Sequence, residues 1–201
     1  MNDGAKNLKL YLNQMEMIKL RQSVISNIIN KRNTTGYQYS DIEICVLEIR
    51  KIIELIAMGS MVSNIEKYSE IHDKYQKDWN ARLIFQDIER INPRFYPEPI
   101  EIDKTGTFDK FIPLDTDYLT KEDAIKVYEK CGAFLHEDNP FKEKHDTSFY
   151  ESKIPVWNGK IVKLLNRHLV HLYDDKMYYV IMKSEINGKA SGNVFEATKD
   201  T

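Results

Sequence analysis

Apolar residues recur at helical spacing from about Lys6 to Asn30, where Leu8, Leu12, Met15, Ile18, Ile25 and Ile29 predict one amphipathic helix. The run Lys31-Arg32-Asn33-Thr34-Thr35-Gly36 ends it, with basic residues in the last turn followed by polar residues and glycine. A second helix is expected to open at Ser40, which with Glu43 fits a capping box, and to turn Ile42, Cys45, Ile49, Ile52, Ile53 and Ile56 inward. A weaker, charged helical stretch follows from Ile65 to Tyr75. Another helix is expected from Asp78 to Ile91, with Trp79, Leu83, Ile84 and Ile88 on one side, and Asn92-Pro93 closes it.

The segment NPRFYPEPIEIDKTGTFDKFIPL holds four of the six prolines and reads as an ordered crossover over residues 92–119, anchored by Phe95, Tyr96, Phe108 and Phe111. A Lys104-Thr105-Gly106 turn within it joins two short strands. Thr120 with Asp123 marks a capped helix start, and that helix is expected to run to about His136, before Asn139-Pro140. Pro155 lies near the start of a further helix that continues to Asn166. The period then changes to two: LVHLY (169–173), MYYVIMKS (177–184) and NVFEA (193–197), separated by polar turns, predict a three-stranded antiparallel meander. The fold class is therefore α+β, with a helical bundle over residues 1–140 and a unit of one helix plus the meander over 141–201, packed on the bundle.

Composition narrows the functions. With 201 residues, 42% hydrophobic and 30% charged, the chain is long and apolar enough for a real core. No run approaches the roughly 18 apolar residues that a membrane span needs. MNDGAKNLK lacks a signal peptide's apolar centre, so a cytoplasmic location is expected, and Cys45 and Cys131 read as reduced packing residues there. A net charge of −2 argues against a protein held to nucleic acid by a diffuse positive field, while leaving selective contact with RNA open.

The candidate chemistry sits where polar groups interrupt apolar helices. Arg50 and Glu54 lie one turn apart within an isoleucine-rich stripe, and His136 follows Gly132, whose missing side chain lets a neighbouring helix approach. Two readings of this trio stand side by side: a structural clamp, or a catalytic set. In the second half, Trp157, Tyr173, Tyr178 and Tyr179 near Lys160, Lys163, Arg167 and Lys176 form a basic, aromatic patch suited to stacking unpaired bases, though such residues also build half-buried sheets. His168 and His171, near Asp174 and Asp175, point to opposite faces of a strand and lack a third ligand, so no metal is expected. No phosphate loop, nucleophile elbow or Cys-x-x-Cys pair is present, and no cofactor is expected. Arg94, Phe95 and Tyr96 are candidate partner-binding anchors on a proline-stiffened segment, or else a seal for the end of the bundle.

Arg50-Lys51-x-x-Glu54 in an early helix, followed several helices later by Gly132-x-x-x-His136, resembles the arrangement in HEPN-type helical bundles, small proteins of bacterial antiviral and toxin systems. The resemblance covers about residues 5 to 140. The nearest counterpart of that family's Arg/His nuclease motif is Arg167-His168-Leu169-Val170-His171, at the junction of helix and strand. The resemblance implies metal-independent RNA cleavage, with His136 as general acid or base, Arg50 stabilising the phosphorane, Glu54 beside it, and a homodimer or hetero-oligomer as the working form. Lys51, Lys163, Arg167, His168 and Tyr179 are the residues expected to touch RNA. A non-enzymatic interaction module and a small-ligand sensor using the buried polar pocket are the alternatives.

Overall fold

The computed structural model describes residues 3–71, 79–106, 110–137, 141 and 146–196. The chain runs α1 (Asp3–Ile29), α2 (Gln38–Ser63), α3 (Ile65–Ile71), α4 (Ala81–Ile91), β1 (Glu98–Asp103), β2 (Lys110–Pro113), α5 (Lys121–Phe134), α6 (Thr147–Leu165), β3 (Arg167–His171), β4 (Lys176–Ile181) and β5 (Ser191–Glu196). It is an α+β protein. Among the described residues no helix is long and apolar enough to cross a membrane.

α2 is the central helix. Its isoleucines at 42, 49, 52, 53 and 56, with Cys45, Val46 and Ala57, are all buried because α1, α4, α5 and α6 pack around it. β-Branched residues are mediocre helix formers, so burial of this nearly all-round apolar surface supplies what propensity does not. α1 gives Met15, Ile18 and Ile25 to the same core, as their spacing predicts, and Tyr11 besides, while Leu8 and Leu12 are half-buried and Ile29 is exposed near the helix end. At the α1–α2 crossing a Cβ on Gly59 would stand 3.1 Å from the Tyr11 ring, so glycine there sets the closeness of the two helices. The polar end of α2 satisfies itself: Ser60 and Ser63 donate to carbonyls one turn back, and Asn64 Nδ2 donates to the Ser60 carbonyl.

The helix starts follow local chemistry, with one correction. Thr120 accepts from the Asp123 amide, Asn80 from Leu83, and Asp146 from Ser148 and Phe149. α2 instead begins before Ser40, at Gln38, after the extended Tyr37, and no side chain caps it. Asp41 is occupied by the Thr35 amide and hydroxyl, which ties the preceding turn to the helix's first turn. In α4 the inward residues are Ala81, Ile84, Phe85 and Ile88, whereas Trp79 and Leu83 are exposed. The end of the charged stretch beyond Ile71, the expected helix start at Asp78 and the Asn139-Pro140 stop lie outside the described residues, and α4 begins at Ala81. Pro155 sits well inside α6 and not near its start.

The three-strand expectation is enlarged to five. The sheet is antiparallel in the order β2-β1-β3-β4-β5, because the hairpin around Lys104-Thr105-Gly106 adds to the meander through Glu98↔Leu169 and Pro99↔His168. β3 begins at Arg167, two residues before the expected start, and pairs Leu169 with Tyr179. Alternation puts His168, Val170, Tyr178 and Val180 on the inner face, where they are buried, and Arg167, Leu169, His171, Met177, Tyr179 and Phe195 on the outer face. α1 crosses the inner face. One hydrophobic cluster runs from α1 through α6 to β4.

Candidate functional site

The polar trio of the helical half is built around a residue that sequence reasoning did not single out, Tyr128. Arg50 Nη1 donates to the Tyr128 carbonyl at 3.1 Å and Nη2 to the Tyr128 hydroxyl at 2.7 Å, while the guanidinium carbon lies 3.9 Å from the centre of the same ring. The Tyr128 hydroxyl donates onward to Glu54 Oε1 at 3.3 Å, and Glu54 stands 3.5 Å from Arg50 Nε. α2 and α5 are therefore tied at one point.

Gly132 makes this possible, since a Cβ there would stand 2.5 Å from Arg50 Nη1. The signal available in the sequence is an aromatic residue one helical turn before that glycine, which places its ring beside the slot the glycine opens. Burial, and next the Glu54 carboxylate, push the Tyr128 hydroxyl above its ordinary value, with Arg50 acting the other way. The Arg50 and Glu54 side chains remain 21% and 17% exposed, so the cluster is not sealed. A guanidinium has five N–H groups, and the contacts above leave one on each Nη uncommitted among the described residues. His136 lies just past the end of α5, exposed, its amide bonded to the Ala133 carbonyl at 3.4 Å. No hydrogen bond joins its imidazole to Arg50 or Glu54 among the described residues.

The residues expected to touch RNA do not share one surface. Lys51 is half-buried on α2, and Lys163 on α6 pairs with Asp117. Arg167 and Tyr179 do share the outer face of the sheet, where Tyr179 stacks on Phe111 with ring centres 5.0 Å apart and Phe195 stands edge-on to both. Among the described residues Arg167 Nε is enclosed without a hydrogen-bond partner. His168 is a correction: it is fully buried on the inner face and cannot reach RNA. Its Nδ1 lies 2.8 Å from the Leu165 carbonyl, which only accepts, so Nδ1 carries the proton and Nε2 accepts from the Tyr11 hydroxyl at 2.7 Å. Burial drives His168 down to about 4 and the Tyr11 hydroxyl up.

The partner-binding trio divides. Phe95 is corrected: it is fully buried against Phe85 and Tyr96 and seals the bundle's end. Tyr96 donates to the Leu119 carbonyl. Arg94 is 68% exposed and belongs to a small polar cluster at the rim of the sheet. There the Glu98 carboxylate, which only accepts, faces His171 Nε2 at 2.7 Å, so Nε2 donates to it, while Arg94 Nη2 lies 2.8 Å from that nitrogen and 3.5 Å from Glu98. Asn92 holds this rim, donating to the His171 carbonyl and to Asn64 Oδ1 and accepting from the Arg94 amide. Both cysteines are buried, and burial raises each thiol to about 12, which removes them as nucleophiles. No family model matches this chain, and neither does any curated protein or solved structure.

Proposed function

We propose that this protein is a HEPN-like effector or accessory of a prokaryotic or phage defence system that cleaves RNA without a metal, using Arg50 and His136. The observation that carries the RNA chemistry is the Arg50 guanidinium, held by Tyr128 and Glu54 yet partly exposed and with two N–H groups uncommitted. The defence role rests on the family resemblance alone. In this reading His136 takes the proton of a ribose 2′-hydroxyl, whose oxygen attacks the adjacent phosphorus. Arg50 stabilises the charge that builds on the non-bridging oxygens, and the 5′-oxygen leaves, taking a proton from solvent water, to give a 2′,3′-cyclic phosphate and a 5′-hydroxyl. Glu54 and Tyr128 hold the guanidinium in place.

The test is incubation of the wild type and His136→Ala with labelled cellular RNA in EDTA, alongside thermal melts. Wild type is expected to cut, and His136→Ala to cut about 100-fold more slowly or worse, the usual worth of a general acid or base. The melts should coincide, because His136 is exposed and outside the core. Intact RNA with the wild type sinks the enzymatic reading.

A second reading, an interaction module that self-associates, is favoured by α1. Leu10, Met17, Leu20 and Val24 are all exposed and recur at steps of seven, three and four residues, away from the face that α1 buries in the core. That is the spacing of a helix-pairing seam. Met17→Glu with Leu20→Glu is expected to convert a dimer into a monomer by light scattering; a wild type already monomeric at high concentration rules out pairing through α1.

A further inference from the structure

Between α5 and α6 lies a groove of about 340 Å³ walled by Lys126 and Lys130 on one helix and Lys153 and Lys160 on the other, with Phe149 and Trp157 in its lining. Lys126 and Lys130 are one turn apart and Lys153 and Lys160 two turns apart, so each pair shares a helix face and its charges repel. The single carboxylate in the lining, Asp123, is already paired with Lys160 at 3.1 Å. Lys126, Lys130 and Lys153 have no carboxylate partner among the described residues. In a chain of net charge −2 such a concentration is not the by-product of a basic composition. The ammonium groups of Lys130 and Lys153 lie 5.0 and 5.9 Å from the centre of the Phe149 ring, which steadies two cations at the groove without neutralising either.

We infer that this groove binds the backbone of single-stranded RNA. Regularly spaced phosphates match several unpaired ammonium groups on two walls, and an aromatic lining suits a ribose or base where an acidic peptide would gain little from it. The aromatic lining offers a stacking partner that only unpaired bases can use, which favours a single strand over a duplex. The inference takes its choice of polynucleotide from the RNA reading above, and it does not require that the RNA be cut.

The test is fluorescence anisotropy with a labelled 12-nucleotide single-stranded RNA over a series of salt concentrations. Lys126→Gln/Lys130→Gln/Lys153→Gln is expected to lower affinity at least about tenfold at low salt. It should also flatten the plot of log affinity against log salt by about 2, some 0.7 for each phosphate that is no longer neutralised. Lys9→Gln/Lys104→Gln/Lys183→Gln, exposed lysines outside the groove, makes the same change of net charge and should stay within about twofold of wild type. Equal loss in both triples, no binding by the wild type, or equally good competition by duplex RNA or polyglutamate overturns the inference. The two proposals fail separately: binding without cutting leaves the groove and removes the catalysis, and cutting that ignores the groove triple does the reverse.

Discussion

Taking the protein from pH 7 to pH 4 is expected to remove about 3 kcal/mol of folding stability through one side chain, His168. Unfolded, its imidazole binds a proton near the ordinary value of 6.5; folded, burial holds it at about 4. Between those values the unfolded chain carries more protons than the native one, so stability is complete above about 6.5 and falls as the pH drops. Among the described residues the ring's hydrogen-bond partners are the Leu165 carbonyl and the Tyr11 hydroxyl, neither of which carries a negative charge to offset the cation. Urea titrations at several pH values measure this directly. Tyr11→Phe/His168→Leu removes the hydroxyl and the imidazole together and leaves the Leu165 carbonyl without its donor, so a pH-independent loss of about 1–3 kcal/mol is expected at pH 7.5. That variant should lose the slope between pH 6.5 and 5, whereas carboxylates with lowered native values, such as Glu16, act at lower pH in both proteins. Parallel slopes in the two proteins would exclude His168 as the source.

Arg50→Ala is expected to cost about 2–3 kcal/mol, read as a shift of the urea midpoint at unchanged slope. The substitution deletes two hydrogen bonds to Tyr128 and the packing against its ring, and it strands Glu54 in a largely buried position. Gly132→Ala probes the same cluster from the other side. Alanine for glycine inside a helix ordinarily gains up to about 1 kcal/mol, yet here the new methyl would meet Arg50 Nη1, so a net loss is expected. A change below about 0.5 kcal/mol for Arg50→Ala would mean that the guanidinium holds nothing together. The clamp and the catalytic role are not exclusive, because an arginine fixed by Tyr128 and Glu54 is also a pre-oriented one. Arg50→Lys separates them: lysine keeps the charge but not the two-pronged geometry, so cleavage should fall further than stability.

What can be read from the residues is what depends on near neighbours. The Thr120 cap, the core faces of α1 and α2, the β1–β2 hairpin and the opposite orientations of His168 and His171 all follow from period and local hydrogen bonding. Ser40 misleads because the turn before α2 is organised by Asp41 and Thr35, a pairing no capping pattern contains. The enlargement of the sheet from three strands to five rests on Glu98 meeting Leu169 across the fold, and local pattern has no means of specifying that. His168 is expected to touch RNA because Arg167-His168 is the nearest counterpart of an Arg/His motif; the buried hydroxyl that accommodates it comes from the other end of the chain. Phe95 departs from its partner-binding reading in the same direction, the core taking it as the seal that the sequence also allowed. Arg50 and Glu54 stand out because charge in an isoleucine stripe needs explanation, but Tyr128, the group that joins them, looks like any other aromatic on a helix.

The bond between Tyr11 and His168 also sets an order on how the protein is made. The two residues are 157 positions apart. At a synthesis rate of about 5–20 residues per second, roughly 8–30 s separate the appearance of one from the other. Once α2 is complete at Ser63, for the remainder of that interval α1 and α2 are available to pair while the Tyr11 hydroxyl has no imidazole to receive its proton and bonds to water. The side of the helical hairpin that the sheet covers in the finished protein is therefore wet until β3 is made, and β3 is the piece that dries it.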